Sequence, residues 1–324
     1  MHRRFDWATA AGFGAILLWS SNVAITRSLA EKIGPLQSGA LIFAFSGVFL
    51  LALARLRHPA EIRQSLRGVS LRYALGCGGL FLLYTVSYYL AIGLARDRIQ
   101  TIEVALLNYL WPSLTLFFSL FLLPMRSTWG VYPGMGLSLG GLFLVMTTGG
   151  GISWSSFAAH VSDNPVAYGA GLGAGVTWAF YSVLTRRWAP PGGGSVSLFL
   201  LISGLILMVP VAIGPAGFRP MGWQAIAETA VLVLFNAASY SLWDIAMRRG
   251  KVSRVAAGSY LTPVLSTLFS CAYLRVAPEP RVWVGSIVVV AGSLACWLSV
   301  RERPHPTPES PEKQAGPLAF PAGE

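Results

Sequence analysis

The chain has 324 residues, 54% of them apolar and only 11% charged, with a formal net charge of +11 and a mean hydropathy of +0.59. Soluble domains carry about 25% charged residues, so this composition excludes a soluble globular domain and indicates an integral membrane protein. The three cysteines lie inside apolar stretches and share no metal-ligand spacing, while His2, His58, His160 and His305 fall in loops or termini.

A helix needs roughly 20 apolar residues to cross the hydrocarbon of a bilayer, and ten segments have the length and composition to do so. In chain order they are Trp7 to Leu29, Leu36 to Ala54, Leu71 to Ala95, Ile99 to Leu123, Thr128 to Thr147, Val166 to Leu184, Ser195 to Ile213, Trp223 to Met247, Val252 to Leu274 and Val282 to Val300. The first follows His2, Arg3 and Arg4 like a secretory signal, but its apolar run is too long for one and it matches segment six, so it is read as retained. Between segments five and six, Thr148 to Pro165 contains Gly149-Gly150-Gly151 and no Lys or Arg. Beyond Val300, the tail to Glu324 carries Pro304, Pro306, Pro308, Pro311, Pro317 and Pro321 and reads as disordered.

With ten crossings, both termini share one side. Most of the 24 Lys and Arg lie on that side, chiefly Arg55, Arg57, Arg63, Arg67 and Arg72, then Arg248, Arg249, Lys251 and Arg254. The positive-inside rule therefore places both termini in the cytoplasm. Basic loops beside membrane spans set orientation and meet anionic lipid, so the positive charge points to the bilayer as partner and not to nucleic acid.

The pentapeptide Asn108-Tyr109-Leu110-Trp111-Pro112 returns 151 residues later as Ser259-Tyr260-Leu261-Thr262-Pro263, and Val104 to Gly141 aligns with Val255 to Gly292 without a gap. Similarly, Gly12-Phe13-Gly14-Ala15, Trp19 and Thr26-Arg27 match Gly171-Leu172-Gly173-Ala174, Trp178 and Thr185-Arg186, at an offset of 159. Five crossings per copy is an odd number, so the second copy enters the membrane upside down. The expected fold is an all-α membrane protein of ten transmembrane helices, arranged as two inverted five-helix repeats around a central cavity. Residues 1–147 form the first repeat, 148–165 a non-cytoplasmic linker, 166–300 the second repeat and 301–324 the cytoplasmic tail.

Polar and aromatic residues at mid-depth concentrate on a few spans. Trp19 and Asn22 of span one share their spacing with Trp178 and Tyr181 of span six. Span three offers Tyr84, Ser87 and Tyr88, and span eight Asn236, Tyr240 and Trp243. Span four offers Asn108 and Trp111, and span nine Ser259 and Thr262; Tyr109 of span four is a further candidate substrate-binding residue beside these sets. Separations of three, four and seven put each set on one helical face. A cavity lined by spans one, three, four, six, eight and nine follows, with spans two, five, seven and ten peripheral. Trp7, Trp129, Trp188, Trp223 and Trp283 sit at span ends and read as interfacial belt residues.

Pro112 and Pro263 each deprive the carbonyl four residues earlier of its donor, freeing those of Asn108 and Ser259 at mid-membrane. Two readings stand side by side: these carbonyls and side chains hold the polar head of a substrate, or the prolines are structural kinks used in gating. The pairs Gly171/Gly175 and Gly136/Gly140 suit close helix packing. Glu103 and Arg254 occupy equivalent positions near span ends and read as a stabilising pair or a gate. With the histidines outside the spans, proton coupling would rest on Glu103 or Asp244. There is no GxxxxGK loop, HExxH, paired acidic motif or catalytic dyad, so neither an ATP-driven pump nor an intramembrane enzyme is indicated, and no cofactor or metal is expected.

Leu18-Trp19-Ser20-Ser21-Asn22, the 5+5 duplication and a proline following a tyrosine in spans four and nine are similar to the ten-helix EamA-type branch of the drug/metabolite transporter superfamily. Within it, Leu107-Asn108-Tyr109-Leu110-Trp111-Pro112 resembles the bacterial exporters of aromatic amino acids. That resemblance implies an inner-membrane protein exporting aromatic and other neutral amino acids through a largely apolar cavity. The alternative within the same superfamily is a multidrug or quaternary-cation efflux transporter, with an aromatic cage and Asp244 as its carboxylate. A sugar-phosphate carrier would need fixed central cations, whereas Arg27 and Arg186 lie near span ends.

Overall fold

The structure, a computed structural model, describes residues 6–57, 70–147, 154–190, 195–215, 217–274, 277 and 280–302. The glycine run at 149–151, Arg63 and Arg67, and the tail past Glu302 lie outside the described residues.

Helix α1 (Trp7–Ser21) is capped by Asp6, whose carboxylate accepts from Thr9 N at 3.2 Å and Thr9 Oγ1 at 2.8 Å. The sequence predicts one continuous first span. The structure instead breaks it at Asn22 and bends it by 44° into α2 (Val23–Ile33). The local cause is a run of competing hydroxyls: Ser20 Oγ donates to Ile16 O at 2.7 Å and Ser21 Oγ to Leu18 O at 3.0 Å, and such back-bonding bends helices. Helices α3 (Pro35–Arg57) and α4 (Leu71–Leu94) follow.

The fourth span is α5 (Arg98–Asn108) and α6 (Trp111–Leu122), separated by Tyr109 and Leu110, with Pro112 in the first turn after the break. Next come strand β1 (Met125–Ser127), α7 (Val131–Met146), α8 (Trp154–Asp163), α9 (Pro165–Trp188), α10 (Val196–Ile213) and α11 (Trp223–Arg249). The chain continues through α12 (Val252–Ser259), a break at Tyr260, α13 (Leu261–Leu274) containing Pro263, α14 (Pro280–Ser299) and β2 (Val300–Glu302).

Among the described residues, six segments are long and apolar enough to cross a membrane: α3, α4, α5 with α6, α10, α11 and α14. The bent α1/α2 pair makes a seventh, and α7 is a shorter apolar helix. Large apolar side chains such as Phe45, Leu75, Leu205, Ile287 and Leu298 are exposed on the outside, the surface that acyl chains cover. Trp7, Trp129, Trp223 and Trp283 are exposed near helix ends, while Trp188 lies 4.5 Å beneath the Arg72 guanidinium. Two elements have no counterpart in the hydropathy pattern. Helix α8 lies in the segment read as a plain linker, and the antiparallel ribbon of β1 with β2, Met125 opposite Glu302, orders the backbone of the first two tail residues.

Glycines set the tightest contacts. A Cβ added at Gly134 of α7 would lie 3.0 Å from Gly292 O of α14, and one at Gly292 2.6 Å from Gly134 O. Gly141 and Gly285 repeat the contact, 2.7 Å and 2.9 Å from each other's carbonyls. Gly134 corresponds to Gly285 and Gly141 to Gly292 in the duplication, so two equivalent helices pack antiparallel, each contact reciprocated. Helices α3 and α10 do the same, Gly47 against Leu201 and Gly204 against Ala44. Of the predicted glycine pairs, Gly171 and Gly175 abut the carbonyls of Val104 and Asn108, each of which would lie 2.9 Å from an added Cβ. Gly136 and Gly140 instead face open space, because they lie on the other face of α7 from Gly134 and Gly141.

Candidate functional site

A cavity of about 450 Å³ opens among the broken helices, within the size range of small-molecule sites. Trp19, Asn22, Tyr84, Tyr88, Asn108, Tyr109, Trp111, Trp178, Asn236 and Tyr240 share its wall. Its rim reaches the exposed Arg27, paired with Glu31 at 2.8 Å, and Pro35, Ile92 and Thr101, all at one end of the bundle.

The floor is aromatic. Trp178 meets Trp19, Tyr84 and Tyr240 with ring centroids 5.8 Å, 4.7 Å and 5.7 Å apart. Trp243 lies beneath, 1% exposed, against Trp19 at 5.2 Å and Trp111 at 5.4 Å. Its Nε1 donates to Ser182 Oγ at 3.3 Å, which fixes the ring. Edge-on and tilted ring packing of this kind is favourable beyond area burial, so the floor is a rigid apolar plate.

Two polar atoms on the wall have no partner: Asn108 Oδ1 and Thr262 Oγ1, in residues 7% and 6% exposed. Buried acceptors and hydroxyls are nearly always hydrogen-bonded, so these two are the unsatisfied polar groups beside the cavity. By contrast, Asn236 Nδ2 already donates to Ser46 Oγ at 3.1 Å, which in turn donates to Val233 O. Arg27 is the one charged residue among the described lining residues.

The structure places three predicted site residues elsewhere. Ser87 faces α9, its Oγ 4.0 Å from where a Cβ on Gly173 would stand. Tyr181, 1% exposed, is wedged between Phe81 and Trp178. Ser259 is fully buried and turns its hydroxyl back to Ala256 O at 2.6 Å. Helical spacing cannot be carried across the break at Tyr260, and Thr262 beyond it presents the chain to the cavity instead. The Asn108 carbonyl freed by Pro112 abuts Gly175 of α9, leaving its side chain as the group that faces the cavity.

The predicted peripheral place of span two is also corrected: Ser38, Ile42 and Phe43 of α3 line the cavity. No motif links span two to span seven, so nothing in the repeat marks Phe43. Tyr89 also lines the cavity and was detectable as the counterpart of Tyr240, while Thr262, the counterpart of Trp111 already noted on span nine, lines it as well.

The ionisable groups have other partners than the sequence suggests. Glu103, fully buried, accepts from Tyr168 Oη and lies 3.0 Å from His160 Nδ1 of α8, while Arg254 stands 5.5 Å over Trp297. Glu103 and Arg254 therefore form no pair, and His160 is not a free loop residue, because α8 folds back on α5 and α9. Asp244 lies off the cavity wall, below the floor, with Oδ2 accepting from Arg248 Nε at 2.8 Å. Among the described residues no group of three His, Cys, Asp or Glu is placed to hold a metal.

A polytopic helical protein with proline-broken helices around an aromatic cavity has the build of a small-molecule transporter. The chain belongs to the EamA-like transporter family, whose pattern matches residues 6–147 and again residues 166–298. It is 33% identical over 300 residues to the aromatic amino acid exporter YddG of Escherichia coli (strain K12), covering 91% of this chain and 98% of that protein. To the threonine/homoserine exporter RhtA of Salmonella typhimurium (strain SL1344) it is 28% identical over 302 residues, covering 89% and 92%. A solved crystal structure, 29% identical, superposes with a TM-score of 0.75 over 90% of this chain and 97% of its own.

Proposed function

We propose that the protein is an alternating-access exporter of aromatic and other neutral amino acids in the bacterial inner membrane. Its ten crossings form two inverted repeats, residues 1–147 and 166–300, joined by the non-cytoplasmic linker 148–165, with both termini and the tail 301–324 in the cytoplasm. The reciprocal antiparallel packing of α7 with α14 and of α3 with α10 supports the inversion, as does the double family match. Inverted repeats suit alternating access because each half can take up the other's conformation. In this orientation the cavity opens away from the cytoplasm and the aromatic floor closes it towards the cytoplasm.

The observation that carries the substrate class is the pairing of an aromatic floor with the unpartnered Asn108 Oδ1 and Thr262 Oγ1. An apolar side chain lies on the rings, and an α-amino group satisfies the two oxygens. The relatives named as exporters of aromatic amino acids and of threonine and homoserine support the same class. A quaternary cation needs a carboxylate near the rings, and in the state with this cavity open Asp244 is held by Arg248 off the wall. The test is uptake into proteoliposomes of tryptophan, phenylalanine, a neutral aliphatic amino acid and a quaternary amine, with and without a pH gradient. Transport of the amino acids is expected; transport of the amine alone would overturn the reading.

A further inference from the structure

Below the aromatic floor lies a second set of buried polar groups that the open cavity does not use. Asp244 of α11 is 4% exposed and its Oδ1 has no partner, although Oδ2 is held by Arg248. Tyr73 and Cys77 of α4 and Tyr181 of α9, all buried, lie within electrostatic range of this carboxylate. Arg248 is anchored in turn, its carbonyl accepting from Arg186 Nη1 at 2.6 Å. A half-satisfied carboxylate in a membrane core is costly to keep, and such groups are functional by default.

The duplication says where this cluster belongs. Asn22, Thr26 and Arg27 line the open cavity, and their counterparts 159 residues on are Tyr181, Thr185 and Arg186. Ile92 also lines it, and its counterpart 151 residues on is Trp243, the neighbour of Asp244. The groups around Asp244 are thus equivalent to an open wall but are closed here. In a carrier whose halves exchange conformations, they become the wall of a vestibule on the opposite side. The counterpart of Asp244 is Gly93, which follows the lining residue Ile92 without itself lining the open cavity, so the fixed anion exists in one copy only.

We propose that Asp244 is the ammonium-binding group of a cytoplasm-facing entry site, closed in this structure, which receives the α-amino group of the exported amino acid. This rests on the export reading above. In the closed state the Arg248 guanidinium takes one carboxylate oxygen. In the open state a primary ammonium donates N–H to the free Oδ1, a bond that a quaternary ammonium cannot make. Loading is then tighter from the cytoplasm than from the outside, where no equivalent carboxylate waits.

Initial rates of tryptophan transport by the full-length protein, in inside-out and right-side-out membrane vesicles, test this. Asp244→Asn is expected to raise the KM from the cytoplasmic face by about tenfold, in line with loss of a charge-assisted hydrogen bond, with the maximal rate from that face and the KM from the other face nearly unchanged; microscopic reversibility then lowers the maximal rate from the other face by the same factor. Asp244→Glu restores the cytoplasmic KM. In the wild-type protein, where folding of a variant is not at issue, tryptamine competes with tryptophan from the cytoplasmic face at least about tenfold better than 3-indolepropionate, which lacks the amine. Equal competition by the two analogues, or an Asp244→Asn effect on rate alone or on both faces alike, overturns the site. If wild-type vesicles move no tryptophan at all, it is the export reading that fails.

Discussion

Trp19 and Trp178 hold matching positions in the two copies, and their rings meet edge-on with centroids 5.8 Å apart. Trp19 lies in the first stretch matched by the family pattern and Trp178 in the second, so the floor of the cavity sits where the two stretches meet. Trp178 carries most of that junction, contacting Tyr84, Tyr240 and Trp243 as well. Trp178→Phe keeps an apolar ring but shortens it. An aromatic pair contributes about 0.5–1.5 kcal/mol beyond burial, so the apparent affinity for tryptophan should fall roughly two- to tenfold. Transport kinetics together with a thermal melt check this; a large drop in melting temperature with unchanged KM would make Trp178 a packing residue only.

Asn108→Ala removes an acceptor that bonds nothing in the protein, so folding should be little affected. The lost hydrogen bond to a charged amino group corresponds to about 1.5–3 kcal/mol, or roughly ten- to a hundredfold in apparent affinity. Thr262→Val, of the same shape, should act in the same direction. Concentration-dependent uptake of phenylalanine by both variants is the measurement, and parental KM values in both would remove these groups from the site.

The glycine contacts make a sharp contrast on one helix pair. A Cβ at Gly292 would meet Ser138 Oγ at 2.5 Å and Gly134 O at 2.6 Å, whereas one at Gly136 meets nothing within 4 Å. Gly292→Val should therefore cost about 1–3 kcal/mol or more by overpacking, seen as a lower melting temperature and loss of monodisperse protein in detergent. Gly136→Val should stay within about 0.5 kcal/mol of the parent. Similar behaviour of the two variants would contradict the packing of α7 on α14.

Asp6 links stability to pH. Burial opposes its ionisation, but the hydrogen bonds from Thr9, with Lys251 and Arg254 nearby, hold its carboxyl below its ordinary value of 3.8. A carboxyl whose folded-state value is depressed contributes stability that is full above the unfolded value and lost as pH falls through the folded one. Asp6→Ala should then cost about 1 kcal/mol at neutral pH, as for other helix caps. Thermal melts in detergent should show that difference shrinking once the pH drops below 3.8.

Much of the architecture could be read in the residues alone. Apolar run length marks the crossings because an unpaired backbone group is intolerable in hydrocarbon. Pro112 and Pro263 mark the breaks between α5 and α6 and between α12 and α13, since a missing donor and a ring clash act within one turn. The break at Asn22 carries no proline and arises from the hydroxyls of Ser20 and Ser21 bonding back to the helix. Helix α8 was hidden because its length is too short and its composition too mixed to stand out against the linker.

By itself, then, the sequence determined that this is a duplicated membrane protein with its polar and aromatic residues gathered on the helices that turn inward, because chain length, hydropathy and proline act locally. The tertiary structure alone decided which of those residues meet. Helix rotation after a break put Thr262 on the cavity wall in place of Ser259, and the fit of α3 against α10 brought Phe43 inward. Packing of α11 on α1 and α9 placed Asp244 beneath the floor. Each outcome depends on contacts between segments far apart in the chain, where side-chain shape and close backbone approach choose among faces that local periodicity leaves equivalent.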